Sequence, residues 1–172
     1  MFKLITMIKL FKIACFAFML SMVASVIAPA LAAGGSGLAV PRFVTLTSNE
    51  VNLRTGPGLK YPIEWVLVRE DMPVEVTREF DTWREIKTID GDTGWVHGSM
   101  LSGKRFVVIT PYTQKVYKKA SLDSRPLAQV EPGVIAEVNE CSENWCYLDV
   151  LTYDGWLEKT SLWGVYDHEI IE

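Results

Sequence analysis

The sequence predicts an all-β protein built from two copies of one small unit behind an N-terminal targeting segment. Three observations carry this. No segment after Ala33 sustains a 3.6-residue apolar period. Apolar and polar residues instead alternate over short runs such as Val74-Glu75-Val76-Thr77. Turn residues interrupt them every 8 to 12 positions, at Gly56-Pro57-Gly58, Asp71-Met72-Pro73, Asp90-Gly91-Asp92 and Pro132-Gly133. Finally, the chain repeats itself with a period of about 62 residues.

The first element is the targeting segment. Of 172 residues, 17 are Lys or Arg, 21 are Asp or Glu and 49 % are hydrophobic, a globular composition that excludes wholesale disorder. The charge is unevenly placed. No acidic residue precedes Glu50, and residues 13–33 carry no charge at all. Lys3, Lys9 and Lys12 form a positive start, an apolar run follows, Pro29 breaks it, and Ala30-Leu31-Ala32 supplies a small-x-small cleavage site. Residues 1–32 are therefore expected to be a signal peptide. A retained anchor is the alternative, since about 20 apolar residues span a bilayer, but Pro29 and the small residues favour cleavage. Cys15 stands at the start of the run, with Lys12 three positions before it, which argues against a lipid anchor.

The expected mature chain is periplasmic or secreted, with no membrane attachment after cleavage. Removing three of 17 basic residues leaves 14 against 21 acidic ones, 14 − 21 = −7. That balance argues against nucleic acid, whose binding draws on Lys and Arg. Residues 33–42 read as a flexible leader. Two cysteines remain, Cys141 and Cys146, and in an oxidising compartment a disulfide between them is the default.

The repeated unit comes next. Phe43-Val44-Thr45-Leu46-Thr47 matches Phe106-Val107-Val108-Ile109-Thr110, and the stretch from Val74 matches that from Ala136, with Val76 on Val138, Trp83 on Trp145 and Ile86 on Leu148. Gly94-Trp95-Val96 recurs as Gly155-Trp156-Leu157, and Met100 to Gly103 as Ser161 to Gly164. On this alignment the second copy is three residues shorter after Val116 and one longer before Gly155. Each 60-residue unit is marginal alone, because so short a chain buries only about 60 % of its unfolded surface. Packing of one copy on the other is expected.

Val51-Asn52-Leu53-Arg54-Thr55-Gly56-Pro57-Gly58, followed by Trp83 and Gly94-Trp95-Val96, resembles the bacterial SH3 (SH3b) domain family. The resemblance implies two tandem small SH3-like barrels, each partly open and five- to six-stranded, with a 3₁₀ turn at His97 to Leu101 in the first. The expected layout is domain 1 over residues 43–104, a divergent domain 2 over 105–166 and a C-terminal tail over 167–172. The second copy reads Val116-Tyr117-Lys118-Lys119-Ala120-Ser121, lacking the Arg and the Gly-Pro-Gly. The resemblance also implies a non-catalytic binding module for peptidoglycan peptide or an envelope protein. A scaffold subunit of a periplasmic complex is the alternative, and an accessory to a wall hydrolase a further one.

The residues themselves offer little chemistry. A cysteine hydrolase needs a thiolate beside a His, but Cys141 and Cys146 are better used on each other. His97 and His168 read as locally bonded side chains, Cys-x₄-Cys with a distant His is a poor zinc pattern, and no serine sits in a Gly-x-Ser-x-Gly context. No catalytic residue, metal or cofactor is expected. With Trp83 on Trp145, the two cysteines align with Glu79 and Arg84, so copy 1 would carry an exposed ion pair where copy 2 carries a disulfide. The loop Asn52–Gly58 reads first as turn architecture, in which Arg54 hydrogen-bonds the loop, and second as the wall of a peptide groove. In that second reading Arg54, Tyr61, Trp65 and Trp95 form the ligand site. Arg54 offers a fork to a carboxylate and the rings serve as anchors. On the alignment above, Tyr61 and Trp65 fall on Pro126 and Leu127, which assigns the extra aromatics to copy 1.

Overall fold

The structure, a computed structural model, describes residues 34–172; the expected signal peptide, 1–32, lies outside the described residues. Among the described residues the alternating runs form fourteen strands. Repeat 1 holds β1 (Arg42–Leu46), β2 (Val51–Arg54), β3 (Ile63–Leu67), β4 (Pro73–Phe80), β5 (Trp83–Lys87), β6 (Thr93–His97) and β7 (Leu101–Ser102). Repeat 2 holds β8 (Phe106–Ile109), β9 (Gln114–Tyr117), β10 (Pro126–Val130), β11 (Ile135–Cys141), β12 (Trp145–Val150), β13 (Tyr153–Glu158) and β14 (Leu162–Trp163). Each set forms one antiparallel sheet, in the order β3-β2-β6-β5-β4-β1-β7 and, identically, β10-β9-β13-β12-β11-β8-β14. Two tandem SH3-like barrels result. Each has seven strands rather than five or six, because the 51–67 hairpin and its counterpart contribute two and the 3₁₀ turn leads into a short closing strand.

The inward positions of each sheet make a separate core. Leu46, Val51, Leu53, Val74, Val76, Ile86 and Val96 fill the first, and Val107, Ile109, Val116, Leu148 and Leu157 lead the second. The Gly-Trp-Val and Gly-Trp-Leu strings have a steric origin. A Cβ on Gly94 would stand 2.7 Å from Leu53 Cγ and 2.9 Å from Arg54 O, and one on Gly155 would stand 2.8 Å from Tyr117 O. Only glycine lets β2 and β9 cross so closely. The Trp that follows points out and the next residue points in. The 3₁₀ turn spans Gly98–Met100, capped by His97, whose Nδ1 accepts from Ser99 N at 3.3 Å.

Strand pairing corrects the repeat alignment. Leu53 pairs with Trp65 and Arg54 with Ile63, while Val116 pairs with Ala128 and Tyr117 with Pro126. Tyr117 therefore takes the place of Arg54, and Ala128 that of Trp65. The loop between the paired strands has not shrunk. Thr55 N bonds Pro62 O, Gly58 N bonds Gly56 O and Tyr61 N bonds Gly58 O; in repeat 2, Lys118 N bonds Arg125 O, Ser121 N bonds Lys119 O and Ser124 N bonds Ser121 O. The backbone turn survives without its Gly-Pro-Gly. The missing residues lie elsewhere: one in the β10–β11 connection and one in the β12–β13 turn, where Val150 pairs directly with Tyr153.

The repeats pack on each other through outward faces. Phe43, on the outer side of β1, meets Trp163 edge-on at 5.1 Å and Tyr166 at 4.7 Å between ring centroids. Tyr166 donates its hydroxyl to Glu75 Oε1 at 2.8 Å, and Arg69 Nη2 donates to Gly133 O at 2.5 Å. Phe43 and Val108 are buried although each points away from its own core.

Both terminal segments dock on their neighbouring barrel. The expected flexible leader is tied down: Ser36 donates from N at 2.6 Å and from Oγ at 2.7 Å to the Glu79 carboxylate. The tail adds a β-bridge, Cys141 N to Ile171 O at 2.8 Å and Ile171 N to Cys141 O at 3.1 Å. Arg105 pairs with Glu169, and Lys159 donates Nζ to the carbonyls of Asp167 and Glu169.

Candidate functional site

The four residues nominated from sequence do not share a surface. Directly paired residues lie on one face of a sheet. Arg54 pairs with Trp95, and both point outward from repeat 1. Trp65 pairs with core-facing Leu53, so it overhangs the opposite face at the open edge of the sheet, half exposed. Tyr61 sits in the loop over Gly56, where an added Cβ would lie 2.5 Å from its ring, with Lys60 Nζ 5.3 Å from the ring centroid.

One nitrogen of the Arg54 guanidinium is occupied. Arg54 Nη1 donates to Leu59 O at 3.3 Å and Tyr61 O at 2.8 Å, bracing the loop as the turn-architecture reading expects. Trp95 carries a different cation, the Arg78 guanidinium, 5.7 Å from its ring centroid. Arg78 is ion-paired to Glu85, and this hydrogen bond holds the Glu85 carboxyl below its ordinary range. The outer face of repeat 1 thus presents Trp95 with a guanidinium already above it and Trp83 buried edge-on against His97.

The outer face of repeat 2 carries the aromatic platform. Trp145 and Tyr147 project outward from β12, Trp156 from β13 and Tyr117 from β9, all half-buried. Tyr117 meets Trp145 edge-on at 5.8 Å, Tyr147 meets Trp156 at 5.4 Å, and Trp156 pairs with Tyr117. The extra aromatics therefore belong to repeat 2, where repeat 1 has Arg54, Trp83, Glu85 and Trp95. Strand alternation carries this signal: Tyr147 lies two positions after Trp145, on the same face. The sequence reading passed over it because its alignment slipped around Val116.

Trp145 also walls a cleft of about 630 Å³. The 118–125 loop contributes Asp123, the β11–β12 turn Glu143, the end of β13 Glu158, and the tail Asp167. Lys159 lines it too, but its ammonium is buried and committed to the tail carbonyls. The cleft thus offers one large ring and four carboxylates. Such a site suits an ammonium or guanidinium group, attracted both by the carboxylates and by an indole face.

The cysteines and histidines of the described residues are engaged with one another or with their neighbours. Cys141 and Cys146 are bonded to each other. His97 caps its turn, and His168 stacks on Tyr166 at 5.7 Å. Among the described residues no group of three or more His, Cys, Asp or Glu stands where it could hold a metal ion.

Comparison with known proteins gives one family. The family described as bacterial SH3 domain matches twice, over residues 47–103 and 111–164. No curated protein matches. Among solved structures, NlpC2 from Trichomonas vaginalis is 14 % identical over 73 % of this chain and 49 % of its own, with a TM-score of 0.34. NlpC1 from the same organism is 14 % identical over 79 % and 50 %, also at 0.34. The chain spans about half the length of each.

Proposed function

Since the chain belongs to the bacterial SH3 domain family through both of its repeats, we propose that it is an exported, non-catalytic module that binds peptide of the cell wall. The observation that carries this reading is the acidic, Trp145-walled cleft on repeat 2. An aromatic wall in a cleft lined by acidic residues recognises an extended chain bearing a cationic group. A wall stem peptide with a free side-chain amine has that chemistry. The net charge of −7 after removal of residues 1–32 disfavours polyanionic wall polymers.

The test is co-sedimentation of the purified protein with isolated sacculi, with and without acetylation of their free amines. Binding that falls on acetylation supports the reading. Protein that stays in the supernatant in both cases overturns it and favours a scaffold whose partner is a protein.

A further inference from the structure

The 118–125 loop lines two clefts of opposite character. To the acidic, Trp145-walled cleft it contributes Ser121 and Asp123. A second cleft, of about 370 Å³, shares those two residues and adds Lys118, Lys119, Ser124 and Arg125. Among the described residues, none of these three basic side chains makes an ion pair or a side-chain hydrogen bond. Arg105 and Lys159 of the same repeat, by contrast, are held by Glu169 and by the tail carbonyls. Both serine hydroxyls keep a proton to donate, since Ser121 Oγ accepts from Asp123 N at 3.2 Å and Ser124 Oγ accepts from Lys119 N at 3.0 Å. The turn does not require these residues. Thr55 N bonds Pro62 O as Lys118 N bonds Arg125 O, so the two loops match position for position. Lys60 is the one charged residue in the first loop, whereas the second has Lys118, Lys119, Asp123 and Arg125.

We propose that this second cleft is a carboxylate subsite, and that repeat 2 takes a short peptide end bearing both a free amine and a free terminal carboxylate. The inference rests on the amine-binding reading of the acidic cleft and extends it. The neighbourhood of the two clefts selects a zwitterion. A polyanion held by the lysines would run against Asp123 and the other carboxylates of the acidic cleft, and a polycation in that cleft would meet Lys118, Lys119 and Arg125. A peptide end carries one charge of each sign within a few residues, each extended residue spanning about 3.3 Å. Arg125 offers a forked donor to a carboxylate, and the lysines add point charges. The subsite therefore separates a stem peptide whose end is free from one whose carboxylate has been consumed in a cross-link.

The test is calorimetric titration of the protein, purified as the cell produces it, with the synthetic N-acetylated peptide Ala-Lys-Ala-Ala. The peptide is used unmodified, amidated at its C-terminal carboxylate, or acetylated at its lysine amine. Amidation is expected to weaken binding about tenfold. The triple variant Lys118→Gln, Lys119→Gln, Arg125→Gln, its fold verified by circular dichroism, should bind the unmodified and amidated forms alike, at the weaker level. Loss on acetylation with indifference to amidation overturns the carboxylate subsite and leaves the amine-binding cleft standing. Loss on amidation with indifference to acetylation supports the subsite and overturns the amine reading. A triple variant that still discriminates overturns the assignment to this loop, as does inorganic phosphate that binds as tightly as the unmodified peptide. No binding of any form overturns both readings.

Discussion

Glu79 and Arg84 face each other across β4 and β5, Arg84 Nε 3.0 Å from Glu79 Oε1, at the register position where repeat 2 has its disulfide. The pair is not exposed: its side chains are 10 % and 12 % accessible, and Arg42 and Ser36 complete a cluster around the carboxylate. Both repeats therefore fasten the same hairpin and use the fastened position to hold a terminal segment. Ser36 reaches Glu79 in one, and Ile171 reaches Cys141 in the other.

Acid should loosen repeat 1 first at this cluster. Burial alone would raise the Glu79 carboxyl, but hydrogen bonds from Arg42 and Ser36 and the charge of Arg84 outweigh it and hold the group at about 2, against an ordinary 4.5. A depressed folded value contributes stability above 4.5, and that stability is lost as pH falls toward 2. Glu79→Ala should cost about 1.5–3 kcal/mol near neutral pH, as expected for hydrogen bonds to a charged group. It should also flatten the dependence of stability on pH below 4.5. Urea titrations of both proteins at a series of pH values measure this; parallel pH profiles would contradict it.

Reduction should act on repeat 2 instead. The Cys141–Cys146 loop spans a separation of five residues, and closing so short a loop contributes roughly 2 kcal/mol. The 118–125 loop of the same repeat keeps the backbone bonds of the glycine-rich one without its motif. Reductant should lower the melting temperature by about 4–8 °C and release the Ile171 bridge. Equal melts with and without reductant would show that the bond contributes nothing.

The joint between the repeats depends on Phe43, Trp163 and Tyr166. Phe43→Ala removes the ring that both others touch and should cost about 3 kcal/mol or more, splitting one calorimetric transition into two. Trp163→Phe should be well tolerated, since the indole Nε1 is buried there with no partner among the described residues. Burial, the hydrogen bond to Glu75 and that neighbour's charge all push the Tyr166 hydroxyl up. Its contribution is therefore complete below pH 10 and lost as pH rises above it. A single transition in Phe43→Ala would mean the repeats unfold together for another reason.

Much of the fold was legible because strand alternation and glycine spacing are local. Gly94 and Gly155 mark the close strand crossings, and the Trp83–Trp145 match places the hairpins and the cysteine pair. Length changes between the copies were not legible. The 118–125 loop keeps its length while losing every residue of its motif, so matching letters shifted Tyr117 away from Arg54. The burial of Glu79 depends on Ser36 and Arg42, 43 and 37 residues away, which no periodicity reveals. The Trp145 cleft escaped for the same reason, since its walls come from a loop, a turn and the tail.

If wall peptide binds at that cleft, Trp145→Ala should weaken binding by about 1–3 kcal/mol, the range for a buried aromatic anchor. Trp95→Ala should change affinity little, because Arg78 already covers its ring. Both rings are outward-facing and half-buried, so both variants should keep their β-sheet circular dichroism. The charge of the cleft gives an independent check. Asp123→Asn with Glu143→Gln removes two carboxylates that carry no structural hydrogen bond among the described residues. That double variant should lose affinity and also lose part of the salt dependence, since exposed charges are screened over about 8 Å at physiological ionic strength. Retained binding in Trp145→Ala, with loss in Trp95→Ala, would move the ligand to the outer face of repeat 1, beside Arg54.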